Sequence, residues 1–187
     1  MNNSLPKLVV LAGKSCSGKD SVFGLLTSLK IFERVVTYTT RPKRTNETDG
    51  VDYHFCSDEE FLKLDLVESR EYNTIKGVWR YGSSLEGLNP GKLYGMILTP
   101  SGVEAYKKRL GENVLVIYLK VEDEERFLRA LAREKEELNP DYDELARRWL
   151  ADKTDFKNFN ADVVVDNTYG PIMQTVNNIS RIVDKWA

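Results

Sequence analysis

Between Leu8 and Leu26 the chain passes from an apolar stretch, Leu8-Val9-Val10-Leu11-Ala12, through Gly13-Lys14-Ser15-Cys16-Ser17-Gly18-Lys19-Asp20-Ser21 into the helical run Val22-Phe23-Gly24-Leu25-Leu26. No other segment restricts the fold so tightly. An unbroken aliphatic strand implies burial on both faces and hence a parallel sheet, and a strand that enters a helix through a glycine-rich turn has the order of a P-loop. Gly13 and Gly18 allow the backbone N–H groups to turn inward around phosphate oxygens, and the helix start adds a dipole that favours an anion. Lys19 supplies a point charge. The residue after it is Asp20, where a serine or threonine usually meets magnesium. A carboxylate is a good ligand for that hard cation, and it also suits the first turn of a helix for dipole reasons alone; the pattern leaves both roles open. Cys16 reads as a small loop residue rather than an activated thiolate.

The rest of the chain predicts an α/β fold. Strand-length apolar runs at Lys7–Ala12, Arg34–Tyr38, Leu93–Leu98, Val114–Leu119 and Asp162–Val165 alternate with helical patterns at Gly18–Lys30, Gly102–Leu110, Glu122–Glu137, Asp141–Phe156 and Ile172–Lys185, the order of a parallel sheet flanked by helices. Thr99-Pro100 and Asn139-Pro140 read as helix starts. Residues Thr39–Leu88 break the alternation with an arginine-rich loop, a short helix near Asp58–Lys63 and strand-like stretches at Leu66–Asn73 and Gly77–Gly82. The expected organisation is a single domain over residues 1–187, with a core of about 1–38 and 92–187 and an inserted lobe of about 39–91.

Composition narrows the function. Twenty-seven basic against 29 acidic residues leave a net charge of -2, so no global field attracts nucleic acid or anionic membrane, and any anion site must be built locally. The apolar runs are far shorter than the roughly 18 residues of a membrane helix. No basic segment followed by a long apolar one opens the sequence, which makes the cytoplasm the expected location. Cys16 and Cys56 lack metal or redox spacing, and a single histidine argues against a zinc site.

The lobe carries the second strong pattern. From Thr37 the sequence reads Thr-Tyr-Thr-Thr-Arg-Pro-Lys-Arg-Thr-Asn-Glu-Thr-Asp-Gly-Val-Asp-Tyr-His-Phe. Two guanidiniums three positions apart, with tyrosine hydroxyls nearby, suit a dianionic monophosphate. Thr39, Thr40, Arg41, Arg44, Glu47, Gly50, Asp52, Tyr53 and Phe55, with Tyr81-Gly82-Ser83 further on, resemble the guanylate kinase family. The resemblance implies a P-loop kinase core with a parallel five-stranded sheet, an inserted monophosphate lobe and a helical lid of about 130–148. It also implies ATP and magnesium at the loop, and transfer of a phosphoryl group to GMP or dGMP. Arg41, Arg44, Tyr53 and Tyr81 would take the acceptor phosphate. Glu68 would read the base, with Thr37 and Ser83 as hydroxyl partners and Glu71 as a nearby competitor. A carboxylate accepts from guanine N1–H and the 2-amino group, whereas the N1 of adenine is itself an acceptor.

Arg126, Arg129 and Arg133 recur at helical spacing. Arg126 reads as part of a surface laced with ion pairs to neighbouring glutamates. Arg133 and Arg148 resemble lid arginines that close on ATP phosphates, and Asp155 stands near the place of a lid-supporting acid. The family's strand after the lobe carries carboxylates for magnesium and guanine; here it reads Met96-Ile97-Leu98-Thr99, with no acid, so Asp20 is the candidate for the metal. Two rivals stand beside this reading: a kinase for another nucleotide or a sugar phosphate, and a non-catalytic module that binds a phosphorylated ligand. Retention of Gly13, Gly18 and Lys19 speaks against the second.

Overall fold

A computed structural model describes residues 5–74 and 77–187, the side chain of Thr74 excepted. Five parallel strands form the central sheet in the order β2 (Glu33–Arg34), β7 (Leu93–Ile97), β1 (Lys7–Ala12), β8 (Val114–Lys120) and β9 (Val163–Asp166). The expected α/β architecture is borne out. Period-two alternation on β1 sends its side chains into two cores. Val9 and Leu11 pack with α1 (Lys19–Ser28) and α6 (Ile172–Trp186), through Val22, Leu26, Val176 and Ile179. Leu8, Val10 and Ala12 pack on the other face with Val103, Tyr106 and Leu110 of α3 (Pro100–Leu110). Leu8 through Ala12 are fully buried. At about 1.5–3 kcal/mol for each large aliphatic side chain, this burial makes β1 a fixed platform for the loop that follows it.

The inserted segment builds a second sheet in the order β4 (His54–Phe55), β3 (Tyr38–Thr39), β6 (Gly77–Ser84) and β5 (Leu66–Thr74). The run Arg34–Tyr38, expected as one core strand, is divided: Glu33 and Arg34 pair with β7, and Tyr38 and Thr39 pair with β4 and β6 in the lobe. The chain changes sheets at Val35–Thr37, so a continuous β-branched run serves as the joint. Short α2 (Asp58–Phe61) opens with a capping box between Ser57 and Glu60. The helix after Asn139-Pro140 is capped by Asp141, whose carboxylate accepts from the Glu144 amide at 2.9 Å. The last strand runs Val163–Asp166 and lies at the sheet edge, with only Val165 buried.

Helices α4 (Asp123–Glu136) and α5 (Tyr142–Asp155) lie against each other beside the phosphate loop, joined by an edge-to-face contact between Phe127 and Trp149 at 5.4 Å. Leu138, between them, is 94% exposed. No helix among the described residues is long and apolar enough to cross a membrane.

Candidate active site

The loop between β1 and α1 sits outside the carboxyl end of the central strand, where the neighbours of β1 are β7 on one side and β8 on the other; in open α/β sheets this is the ligand crevice. Gly18 has φ +82°, which favours glycine, and a Cβ on Gly13 would lie 2.6 Å from Ser17 Oγ. Cys16 also takes a left-handed φ of 61°. The loop is therefore held in a shape that ordinary side chains resist, and its ties are long-range. The Ser15 amide donates to Asp152 Oδ2 at 2.9 Å, Arg126 Nη1 donates to Ser15 O at 2.8 Å and to Asp152 at 3.0 Å, and Asn167 Nδ2 donates to Ser17 O at 2.9 Å. Buried Ser17 Oγ has no hydrogen-bond partner among the described residues, and neither does the Lys19 ammonium.

Arg126 corrects the sequence reading. It is 1% exposed, its guanidinium also meets Asp123 at 3.0 Å, and it lies 4.3 Å from the centre of the Trp149 ring. It is an internal brace for the phosphate loop, not a surface ion pair. Burial opposes the charge on Asp123, but Arg126 and Lys14 hold its carboxyl below the ordinary value. The supporting acid is Asp152, which is buried, while Asp155, one turn further on, is exposed. Arg126 falls in register with Arg129 and Arg133, a spacing visible in sequence; Asp152 carries no comparable mark.

Two cavities meet at α5. One, of 390 Å³, lies between the phosphate loop and helices α4 and α5, bordered by Ser15, Cys16, Arg133, Glu144, Arg148 and Trp149. The other, of 690 Å³, lies over the lobe sheet and is bordered by Thr37, Tyr53, Glu68, Arg70, Tyr81 and again Arg148. Arg148 donates to Glu144 at 2.7 Å, and Arg147 does so from the next position at 2.6 Å. These guanidiniums, that of Arg147 first, hold the Glu144 carboxyl down at about 2 although partial burial opposes them. Arg133 is exposed and without an ion-pair partner among the described residues.

Strand register separates the two candidate glutamates by face. Glu68 pairs with Ser83, Arg70 with Tyr81 and Tyr72 with Trp79, and of these Glu68, Arg70, Tyr72, Trp79 and Tyr81 border the larger cavity; Glu71 pairs with Arg80 on the opposite face and bonds its guanidinium at 2.7 Å. Ser83 Oγ donates to Glu68 Oε1 at 2.7 Å. Tyr106, from α3, stands behind them with its hydroxyl unpartnered among the described residues, and burial pushes its phenol up to about 12. Thr37 also borders a third cavity of 320 Å³ with Asp20, Arg34, Tyr53 and Ile97.

The two lobe arginines do not act alike. Arg41 is 4% exposed, bound to Glu47 at 2.6 Å, and lies 5.6 Å from the Tyr53 ring centre. The bond from Glu47 raises the Arg41 pKa further and lowers that of Glu47. The other Glu47 oxygen accepts from the Arg44 amide at 2.8 Å, while the Arg44 side chain is exposed. Neither arginine borders the 690 Å³ cavity, so Glu47 shapes the loop and Arg41 fixes the aromatic wall carrying Tyr53.

Comparison with known proteins agrees with this arrangement. The family model for guanylate kinase matches residues 5–86. A guanylate kinase of Chlorobaculum tepidum is 33% identical over 138 residues, which cover 70% of each chain. The chain belongs to the guanylate kinase family. A guanylate kinase named as chloroplastic/mitochondrial, from rice, is 32% identical over 96% of this chain. The chain spans 64% of that relative's length and 62% of a guanylate kinase from Salinibacter ruber. The crystal structure of guanylate kinase from Anaplasma phagocytophilum shares the fold, with a TM-score of 0.67 and 22% identity over 97% of this chain and 86% of the other. Within the guanylate kinase family pattern, this chain ends β7 in Ile97 and follows it with Leu98 and Thr99 where acids were expected, and it sets Arg70 beside Glu68.

Proposed function

We propose that this guanylate kinase family member transfers the γ-phosphoryl group of ATP to the phosphate of GMP or dGMP. The observation that carries the reading is Arg148, which borders both the cavity at the phosphate loop and the cavity at Glu68. A cation at that junction faces the point where a donor and an acceptor phosphate would meet. The backbone amides of Gly13 to Gly18 and the Lys19 ammonium would hold the donor phosphates, with Ser21 following Asp20 on the first turn of α1. Arg133 and Arg148 would neutralise charge on the group in transit. In that transfer the bond from the γ-phosphorus to its bridging oxygen breaks as a bond to an acceptor phosphate oxygen forms. No covalent enzyme intermediate is required, and catalysis consists of positioning and charge stabilisation.

Arg44, Tyr53 and Tyr81 would receive the acceptor phosphate, with Arg41 holding the wall in place, while Glu68, Ser83 and Thr37 would read the base. The donor set also suits magnesium. Among the described residues no cluster of three acids, cysteines or histidines exists to hold a metal by itself, whereas magnesium on nucleotide phosphates needs only one or two carboxylates, and exposed Asp20 on the first turn of α1 is in reach of that role. Bound there, magnesium would supply charge neutralisation to the phosphates. The substrates are solutes of the cytoplasm, the compartment this reading favours.

Another phosphorylated acceptor is the competing reading, and the acid-free end of β7 is what favours it. A coupled ADP-release assay with GMP, dGMP, AMP, pyrimidine nucleotides and sugar phosphates separates the two. Turnover on GMP or dGMP well above every other acceptor is expected. A higher rate on any other acceptor overturns the assignment.

A further inference from the structure

The 690 Å³ cavity contains a cation that the phosphate chemistry leaves unused. Arg70 is half-buried on β5, two residues from Glu68 and on the same face. Its Nη2 donates to Thr99 Oγ1 and, at 2.6 Å, to Ser101 Oγ, both at the start of α3. Those two bonds use both Nη2 hydrogens and fix the plane of the guanidinium. The Nη1 and Nε hydrogens have no partner among the described residues, and no carboxylate there pairs with Arg70. The cavity's other glutamate, Glu144, is taken by Arg147 and Arg148, and among the described residues Glu68 is bonded only by Ser83. Glu68 and Arg70 thus stand about 7 Å apart along the strand, an acceptor and a donor fork directed into the same space and not at each other.

A half-buried cation without a counter-charge costs free energy unless a ligand compensates it. We infer that Arg70 is a specificity residue that donates to the exocyclic 6-oxygen of the acceptor purine while Glu68 accepts from its N1–H; the inference rests on the acceptor reading given above. A 6-oxopurine presents an acceptor at position 6 and a donor at N1, matching the pair. Adenine presents the reverse at both positions, so each member of the pair rejects it. The fork also explains how the site reads a base with no acid after β7: Thr99 uses its oxygen to orient Arg70, and Arg70 makes the contact.

The test is calorimetric binding of GMP and 6-thio-GMP to the full chain. The two ligands differ only in the atom at position 6, and sulfur is the weaker acceptor. The wild-type protein is expected to bind GMP about tenfold more tightly than 6-thio-GMP. Arg70→Met is expected to weaken GMP by about 10- to 100-fold, the range for a hydrogen bond to a charged group. It should also erase the preference between the two ligands and leave binding of a non-hydrolysable ATP analogue unchanged. Arg70→Lys, which keeps the charge and loses the fork, should fall between. Equal binding of the two ligands by the wild type overturns the inference without any variant. An unchanged preference in Arg70→Met overturns it too, since a strut between β5 and α3 would weaken both ligands alike. A wild type that binds AMP but not GMP overturns the acceptor reading itself, and this inference with it.

Discussion

Asp152 is the only buried carboxylate among the described residues, and it joins α5 to the phosphate loop. Asp152→Ala removes the acceptor for the Ser15 amide at 2.9 Å, for Ser15 Oγ at 3.3 Å and for Arg126 Nη1 at 3.0 Å. Breaking a buried ion pair by deleting one partner costs about 3–5 kcal/mol, because the other charge stays buried. Arg126 would keep Asp123, Ser15 O and the face of Trp149, which puts the loss at the lower end, about 3 kcal/mol. In a chain of this size each kcal/mol moves the melting temperature by about 2–4 °C, so a fall of about 6–12 °C is expected. Asp155→Ala is the control: exposed, one turn away, it should change stability by less than about 0.5 kcal/mol. Thermal unfolding of both variants and calorimetry with an ATP analogue make the comparison. The analogue should bind Asp152→Ala more weakly, because the Ser15 amide loses its anchor and the loop its preset shape. Should Asp152→Ala melt no lower than Asp155→Ala, the brace is not carrying the loop and the argument fails.

Glu68→Gln should lower the preference for GMP over AMP by the cost of one mismatched buried hydrogen bond, about 1–3 kcal/mol, while Glu71→Gln should leave it alone; competition binding with both nucleotides checks this. Asp20→Ala should raise the magnesium concentration needed for half-maximal turnover with the melting temperature nearly unchanged, whereas a purely structural role at the helix start would cost about 1 kcal/mol of stability and leave the magnesium curve in place. The folded-state value of Glu144 is about 2, below its ordinary 4.5, so its ion pairs are fully present above pH 4.5 and are lost as pH falls from there through 2. Wild type should therefore lose more stability than Glu144→Gln across that window in an acid titration followed by circular dichroism.

Much of this protein is legible in sequence because the relevant physics is local. The strand, loop and helix around Gly13–Lys19 are set by side-chain volume, glycine φ and period within about twenty residues, and Tyr53 and Tyr81 lie inside short motifs. The α/β class follows from apolar runs that alternate with helical patterns. Which glutamate faces the cavity follows from strand register, which depends on the bulge between Leu66 and Glu68 that no local pattern marks. The division of Arg34–Tyr38 between two sheets was equally hidden, since a β-branched run suits either sheet. Arg126, Asp152 and Ser15 are separated by up to 137 positions, and nothing in the neighbourhood of any one of them names the others. Arg70 reads in sequence as one more charge on an alternating strand, and only the approach of α3 shows that half of its fork is held and half is open. Composition and period act through neighbours along the chain, whereas burying a charge is a transaction between distant segments, settled only when tertiary packing removes the water and brings the counter-charge to it.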